Sequence, residues 1–169
     1  MAVVLTIRAT TAGELAAIDG LLDGVGVAGS DFELDAATET LTVRLEQPPD
    51  ADGIERPGLP AREHERSTAW YEEYRRPVME WELVFRQVTG FELEEPDFLG
   101  LILSAEYSEA EGVVRLRGDP ATSPALVTVR ELDAELRLTD RVVGWERLRI
   151  GRQWPWEWTA PWPEDDERP

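Results

Sequence analysis

The sequence predicts an α+β protein made mainly of antiparallel β-sheet, arranged as a sandwich or as a curved sheet or barrel, with one or two helices. Many short segments alternate apolar and polar residues, and the turns between them are too short for the crossovers that parallel strands need. Apolar residues recur at helical spacing in only two places. We expect one acidic domain over residues 1–152 and a Trp- and Pro-rich strap with an acidic tail over 153–169.

The first elements are a strand, a helix and a hairpin. Alternating apolar residues over 3–7 predict the strand. Thr11 and Glu14 have the spacing of a capping box, and the apolar repeat behind them predicts a helix that ends before Gly24. Segments 32–34 and 41–45 alternate on either side of a polar turn and predict a hairpin.

The middle of the chain begins with a break. Residues 47–60 contain four prolines and two glycines, which predicts a loop or internal linker. Residues 61–75 are predicted as a second helix that ends at Pro77, because the residue before a proline is disfavoured in helical conformation. Its apolar side consists of Trp70, Tyr71 and Tyr74.

From Met79 the apolar period changes to two, which predicts either one long strand bent at Gly90 or two consecutive strands. The residues expected on the apolar face are Met79, Trp81, Leu83, Phe85, Phe91 and Leu93. Segments 101–105 and 114–116 then predict a hairpin around a turn at 108–112. Three more strands are predicted at 126–130, 132–138 and 142–150.

Composition excludes several kinds of chemistry. The chain has no cysteine, no lysine and one histidine, which excludes thiolate nucleophiles, lysine Schiff bases and multi-histidine metal sites. We therefore expect neither a cofactor nor a metal. The net charge of -18 disfavours binding to nucleic acid or to an anionic membrane surface. The chain has no leader pattern and no apolar run of about 20 residues, so we expect a cytoplasmic protein.

Acidic residues are concentrated in one stretch of the chain. Residues 80–111 contain nine acidic residues and one basic, whereas 112–156 contain six acidic residues and eight arginines. In the two-residue phase described above, four glutamates project from the face opposite Trp81 and Phe91. These candidate partner-binding residues are Glu80, Glu82, Glu92 and Glu94. The face is either a solvated surface or a docking surface for a basic protein, such as the target of an inhibitor or immunity protein.

The C-terminal strap holds four tryptophans, all even-numbered, in a segment that prolines keep extended. They are Trp154, Trp156, Trp158 and Trp162. Residues two apart in an extended chain face the same way, so the four rings form one aromatic ledge of roughly 600 to 1,000 Å². The ledge either packs against the protein's own sheet or a twin subunit in a homodimer, or it stacks sugars or holds a proline-rich peptide.

Signals for catalysis are weak. His64 has no second ligand at helical spacing, and the chain has no Gly-x-Ser-x-Gly turn. Carboxylate pairs such as Glu106 and Glu109 are too numerous to single out one as catalytic. Our leading hypothesis is a non-enzymatic protein that docks a basic partner on an acidic face. The alternatives are a carbohydrate- or peptide-binding module that uses the tryptophan ledge, and a carboxylate-based hydrolase.

Overall fold

The computed structural model describes residues 6–22, 25–46, 62–94, 99–102, 104–118, 123–151 and 157–160. The chain divides into two compact units. Unit 1 comprises Met1–Gly58 and Glu80–Asp140, and unit 2 comprises Leu59–Met79 and Arg141–Pro169. Two of the three division points, after Met79 and after Asp140, fall inside long β-strands. Each unit is described separately below.

One α-helix, α1 at Ala12–Leu22, occurs in the described part of the chain, together with a short 3-10 turn at Gly29–Asp31. The predicted capping box is confirmed. Thr11 Oγ1 accepts a hydrogen bond from the Glu14 backbone N–H at 3.2 Å, and a Glu14 carboxylate oxygen accepts one from the Thr11 N–H at 3.2 Å. Leu15, Ile18 and Leu22 are all buried, so the predicted apolar face packs into the core of unit 1.

The described residues form thirteen β-strands. They are β1 Thr6–Ala9, β2 Val25–Ala28, β3 Phe32–Asp35, β4 Thr40–Glu46, β5 Glu63–Ser67, β6 Tyr71–Phe85, β7 Val88–Glu92, β8 Leu99–Ile102, β9 Ser104–Ser108, β10 Val113–Arg117, β11 Ala125–Val129, β12 Ala134–Gly151 and β13 Glu157–Ala160.

The strands form two main sheets and a two-stranded ribbon. The seven-stranded sheet has the order β1-β12-β6-β4-β3, with β13 beside β12 and β5 beside β6. The four-stranded sheet has the order β7-β11-β10-β9, and β2 pairs with β8. Where the pairing register is resolved, neighbouring strands are antiparallel, which confirms the α+β, mainly antiparallel class. The described strands form open sheets and do not close into a barrel.

The predicted apolar face of the strand from Met79 is confirmed, since Met79, Trp81, Leu83 and Phe85 are all buried on β6. The break occurs at Gln87, where the backbone φ is 57°, and not at Gly90. Two strands therefore form, and β7 belongs to the other main sheet. The break needs a left-handed residue, which the sequence pattern does not reveal when that residue is not glycine.

The predicted second helix at 61–75 is wrong. This segment forms β5 and the start of β6, an antiparallel hairpin whose register places Glu63 opposite Arg75. Thr68 closes the turn: its Oγ1 accepts hydrogen bonds from the N–H groups of Trp70 and Tyr71. The aromatic spacing that indicated a helix is produced here by one turn residue, Trp70, and two strand residues on opposite faces.

Pro77 lies inside β6 and does not end an element. β5 pairs with residues 72–75 of β6, and β4 pairs with residues 80–85. Pro77 falls in the gap between these two partners. A proline has no N–H to give to a sheet ladder, so a gap of this kind is where a strand tolerates one.

The remaining predictions are confirmed in part. The hairpins β3–β4 and β9–β10 form as expected. Gly112 in the second turn has φ 64°, and a Cβ there would lie 3.0 Å from the Val129 carbonyl oxygen, so this position needs glycine. The expected strands at 132–138 and 142–150 are one continuous strand, β12. The predicted loop at 47–60 lies outside the described residues.

Candidate binding surface

The structure separates the four glutamates predicted to bind a partner. Glu80 and Glu82 lie on β6 of the seven-stranded sheet, whereas Glu92 ends β7 of the four-stranded sheet and Glu94 follows it. Glu80 is only 8% exposed. Glu82 accepts a hydrogen bond from Arg137 Nε at 2.7 Å. The four residues do not share one exposed face, and their role in partner binding stays a prediction.

The uneven distribution of charge along the sequence is partly balanced in space. Arginines of the basic stretch contact glutamates of the acidic stretch: Arg115 lies 2.5 Å from Glu111, Arg117 lies 3.5 Å from Glu106, and Arg137 contacts Glu82. The contact between β10 and β9 is diagonal in register, because Arg115 is the residue opposite Glu106 and Arg117 lies two residues further along β10. The acidic stretch as a whole is therefore not a bare anionic surface.

A charge network in unit 1 surrounds one buried carboxylate, that of Glu135. Glu135 of β12 contacts Arg8 of β1 at 3.1 Å and Arg86 at 3.0 Å, and Arg86 also contacts Asp133 at 3.4 Å. Burial alone would raise the pKa of Glu135, but the hydrogen bond and charge of Arg86, with those of Arg8, hold this pKa below its ordinary value. Glu135 is therefore a stabilising carboxylate and not an accessible one.

An acidic region remains where two sheet edges meet. β3 and β7 belong to unit 1, and each is a terminal strand of one of the two main sheets. The rings of Phe32 and Phe91 stack at a centroid distance of 5.4 Å and an interplanar angle of 22°. At the other end, the Val88 N–H donates to the Glu39 carbonyl oxygen at 2.9 Å. The first contact joins the start of β3 to β7, and the second joins the turn after β3 to the start of β7.

We call this border the β3/β7 edge and define it by an apolar line and its flanking carboxylates. The residues are Phe32, Leu34 and Phe91, flanked by Glu33, Asp35, Glu92 and Glu94. Leu34 is 45% exposed. Arg44 forms an ion pair with Glu33. Among the described residues, this is the one ion pair observed for these four carboxylates. The edge thus combines an exposed apolar side chain with an excess of negative charge.

The space beside this edge is small. A cavity of about 10 Å³ is enclosed mainly by apolar side chains, including those of Val27, Phe32, Leu93 and Leu116. That volume holds about one water molecule. The β3/β7 edge is therefore suited to contact with another surface and not to enclosing a small molecule.

Turn hydrogen bonds extend the acidic character beyond β3. Asp35 accepts hydrogen bonds from the backbone N–H groups of Ala37 and Thr38. Hydrogen bonds from Thr38 and then from Ala37 lower the pKa of Asp35 below its ordinary value. Glu39, at φ 51°, forms an ion pair with Arg130 through both of its carboxylate oxygens.

The single histidine lies in unit 2 in an arrangement that resembles a catalytic triad in composition only. His64 Nε2 is 3.2 Å from Ser67 Oγ and 2.9 Å from a Glu72 carboxylate oxygen. In a catalytic triad the hydroxyl and the carboxylate contact different ring nitrogens. Here both contact Nε2, and Ser67 also donates directly to Glu72. The contacts connect β5 to β6 and do not activate the serine.

Unit 2 also holds a buried cluster of arginines around one carboxylate. Glu73 lies 2.8 Å from Arg149, 3.1 Å from Arg66 and 3.7 Å from Arg147. Burial favours the neutral form of Glu73, but hydrogen bonds from Arg149 and Arg66 and the charge of Arg147 outweigh it and lower the pKa. The guanidinium of Arg149 also lies 4.7 Å from the centroid of the Tyr71 ring.

The predicted tryptophan ledge lies largely outside the described residues. Trp154, Trp156 and Trp162 are not among them. For Trp158 the structure describes only the backbone, which lies in β13 opposite Arg149 of β12. The ledge as a ligand site or as a homodimer contact therefore stays a prediction. What the structure adds is that 157–160 forms a strand of the seven-stranded sheet.

Comparison with known proteins gives no match: no family model, no curated protein and no solved structure matches the chain. Within the described ranges, no group of three or more histidine, aspartate or glutamate side chains is arranged to hold a metal ion. No helix in the described part of the chain has both the length and the apolar character to cross a lipid bilayer.

Sequence reasoning found half of the β3/β7 edge. Alternation identified Glu92 and Glu94 as outward-facing, and the predicted hairpin contained Glu33 and Asp35. The exposure of Leu34 was missed, because its alternation with Glu33 and Asp35 predicts a core-facing side chain, as does its position opposite the buried Leu41 in the structure. Its exposure results from the terminal position of β3, and alternation within one strand does not report strand order.

Proposed function

We propose that this protein is a protein-binding domain that docks a basic partner on the β3/β7 edge. The observation that carries the proposal is the stacking of Phe32 on Phe91, which joins two terminal strands that carry carboxylates and an exposed leucine. The partner would present basic side chains toward the carboxylates and an apolar side chain toward Leu34. This keeps the acidic docking hypothesis and moves its centre from β6 to the border of the two sheets.

The charge of unit 1 supports this choice. Its described residues include 18 acidic and 7 basic side chains, which gives a formal net charge of -11. The described residues of unit 2 include 6 acidic and 7 basic side chains, which gives a formal net charge of +1. A surface of one sign raises the rate of encounter with an oppositely charged partner and selects against partners of like charge. The acidity of the chain is therefore a property of unit 1.

Apolar contact at the edge supports it as well. Exposed charges attract a partner but contribute little to the stability of a docked complex, because they are screened by salt and stay hydrated. Burial of Leu34 would add a contribution that does not depend on salt. The acidic rim and apolar centre follow the general layout of protein interfaces.

The test is affinity capture from native lysate with wild type and two matched double variants. Glu92→Gln/Glu94→Gln removes two charges at the β3/β7 edge. Glu106→Gln/Glu109→Gln removes one charge on β9 and one in the turn that follows it; β9 is the opposite terminal strand of the same four-stranded sheet. We expect wild type and the β9 variant to capture the same basic protein, and the edge variant to capture at least tenfold less of it. Equal capture by all three proteins would refute the assignment of this edge.

A third variant separates the apolar contribution from the charge. Leu34→Ser leaves every charge in place, so its capture should weaken while the dependence on salt concentration stays that of wild type. Loss of salt dependence in Leu34→Ser, or capture unaffected by 0.5 M salt in wild type, would contradict the proposed division of roles.

A further inference from the structure

The exposed apolar side chains of the described residues are concentrated on β12 in unit 2. Five large apolar side chains are exposed in this part of the chain, and three of them lie within four residues of one strand: Val142, Val143 and Trp145. Val143 is 40% exposed and Trp145 is 53% exposed. Residues two apart on a strand lie on the same face, so these two side chains share a face, and Val142 lies on the other.

Arg75 of β6 lies on the same face as Trp145. Its guanidinium is 4.9 Å from the centroid of the Trp145 ring, and it contacts Glu63 at 2.9 Å and Glu65 at 3.7 Å. The arginine is therefore held between an aromatic ring and two carboxylates. We call this surface the Trp145 face and define it by Glu63, Glu65, Arg75, Val143 and Trp145. It carries charges of both signs beside an apolar centre.

Such a surface is complementary to a second copy of itself. A two-fold axis brings one face onto an identical face, so that each contact between unlike residues is made twice. Arg75 of one copy then meets the Glu63 carboxylate or the Trp145 ring of the other, and Val143 and Trp145 are removed from water in both copies. We propose that the Trp145 face is the contact of a two-fold symmetric homodimer.

Net charge favours this occupant over others. The described residues of unit 2 carry a formal net charge of +1, so two such units meet without strong repulsion. A strongly charged partner would place unmatched charges against the apolar centre, which costs desolvation free energy. The face is small beside the roughly 800 Å² per partner of a stable complex, so we expect a dissociation constant on the order of 100 μM.

The proposal concerns unit 2 and is independent of the function proposed for unit 1, and salt distinguishes the two contacts. Each chain carries a net charge of -18, so two copies repel each other, and salt screens this repulsion. We expect the dimer to become at least about twofold tighter from about 0.05 to about 0.5 M salt, whereas capture of a basic partner on the β3/β7 edge weakens. A dimer that dissociates as salt is added would overturn the proposal.

Sedimentation equilibrium over a concentration series tests the contact with two matched variants. Trp145→Ser removes the aromatic centre of the face. Trp70→Ser is the control, because Trp70 is 49% exposed and lies in the β5–β6 turn, before β6 begins. We expect wild type and Trp70→Ser to form dimers equally well, and Trp145→Ser to form them at least tenfold more weakly. Equal dimerisation of the two variants, growth beyond a dimer, or a monomeric wild type at about 1 mM would refute the contact.

Cysteine crosslinking identifies the face without removing the tryptophan. The chain has no cysteine of its own, so a single introduced thiol joins only two copies. Val143→Cys places the thiol on the Trp145 face, and Val142→Cys places it on the opposite face of the same strand, at a residue that is 48% exposed. With a short bismaleimide, we expect Val143→Cys to form crosslinked dimers at least tenfold faster. Equal rates for the two variants would show that the Trp145 face is not the contact.

Discussion

Glu73 and Arg149 form an ion pair of 2.8 Å in unit 2, and each side chain is only 3% exposed. Two charges so far removed from water are tolerated because they neutralise each other and because Arg66 and Arg147 lie around the same carboxylate. Glu73 lies on β6, and Arg147 and Arg149 lie on β12, a strand that is distant in sequence but is the neighbour of β6 in the sheet. The cluster joins β5, β6 and β12 into one unit.

Loss of the Glu73 carboxylate is expected to destabilise the protein strongly. Glu73→Ala leaves buried guanidinium groups without this counterion, which costs about 3–5 kcal/mol for a buried pair. The control is Glu63→Ala, which removes an exposed ion pair of 2.9 Å with Arg75 and should cost less than about 1 kcal/mol. Urea denaturation followed by circular dichroism measures both. Equal effects of the two substitutions would show that burial does not strengthen the cluster.

Acid sensitivity should depend on Glu135. Its pKa is lowered in the folded state, so it contributes stability above its unfolded pKa of about 4.3, and this contribution is lost as the pH falls through the folded value. Glu135→Gln should be less stable than wild type at pH 7, and the difference should shrink as the pH falls from 5 to 2. The measurement is the free energy of unfolding against pH, with the exposed Glu46→Gln of β4 as control. A difference that stays constant would contradict the linkage.

Replacement of Gln87 with glycine should stabilise unit 1. Gln87 has φ 57°, a left-handed conformation that costs a non-glycine residue about 1–2 kcal/mol. Glycine removes that cost, but its greater chain entropy stabilises the unfolded state by about 0.5–1 kcal/mol, so the net gain is between about 0 and 1.5 kcal/mol. The opposite change, Gly112→Ala, should be destabilising. Thermal melts of both variants check the signs, and a lower melting temperature for Gln87→Gly would refute the strain.

The capping box of α1 offers a local test. Thr11→Ala removes the hydroxyl that accepts the Glu14 N–H and should cost about 1 kcal/mol of unfolding free energy. Thr11→Ser keeps the hydroxyl and should stay close to wild type. Matched denaturation curves measure both, and identical losses for alanine and serine would indicate that the hydroxyl is not the stabilising group.

Local patterns predicted those elements whose signals lie within a few residues. The Thr11–Glu14 spacing identified the start of α1, and the alternation from Met79 identified the buried face of β6. The same reasoning failed over 61–75, where charged and aromatic residues also fit a helical repeat. What decided that segment was pairing across a hairpin, with Glu63 opposite Arg75 and Thr68 in the turn. Tertiary pairing overrides weak local preference for helix.

The candidate surface shows the same division. Alternation indicated that Glu82 and Glu92 point away from the core. It did not indicate which of the two carboxylates forms an ion pair with an arginine. Arg137, 55 residues further along the chain, contacts Glu82 because β12 is a neighbour of β6 in the sheet. Glu92 lies on β7, which is a terminal strand. Strand order therefore decides which carboxylates stay available to a partner.

By itself, the sequence determined the antiparallel α+β class, the helix start, most hairpins and the excess of negative charge. Each of these depends on residues close together in the chain or on composition. The tertiary structure alone decided the pairing of acidic with basic stretches, the exposure of Leu34 and Trp145, and the meeting of β3 with β7. The physical reason is that burial and ion pairing depend on which strands become neighbours, and this arises from packing over the whole chain.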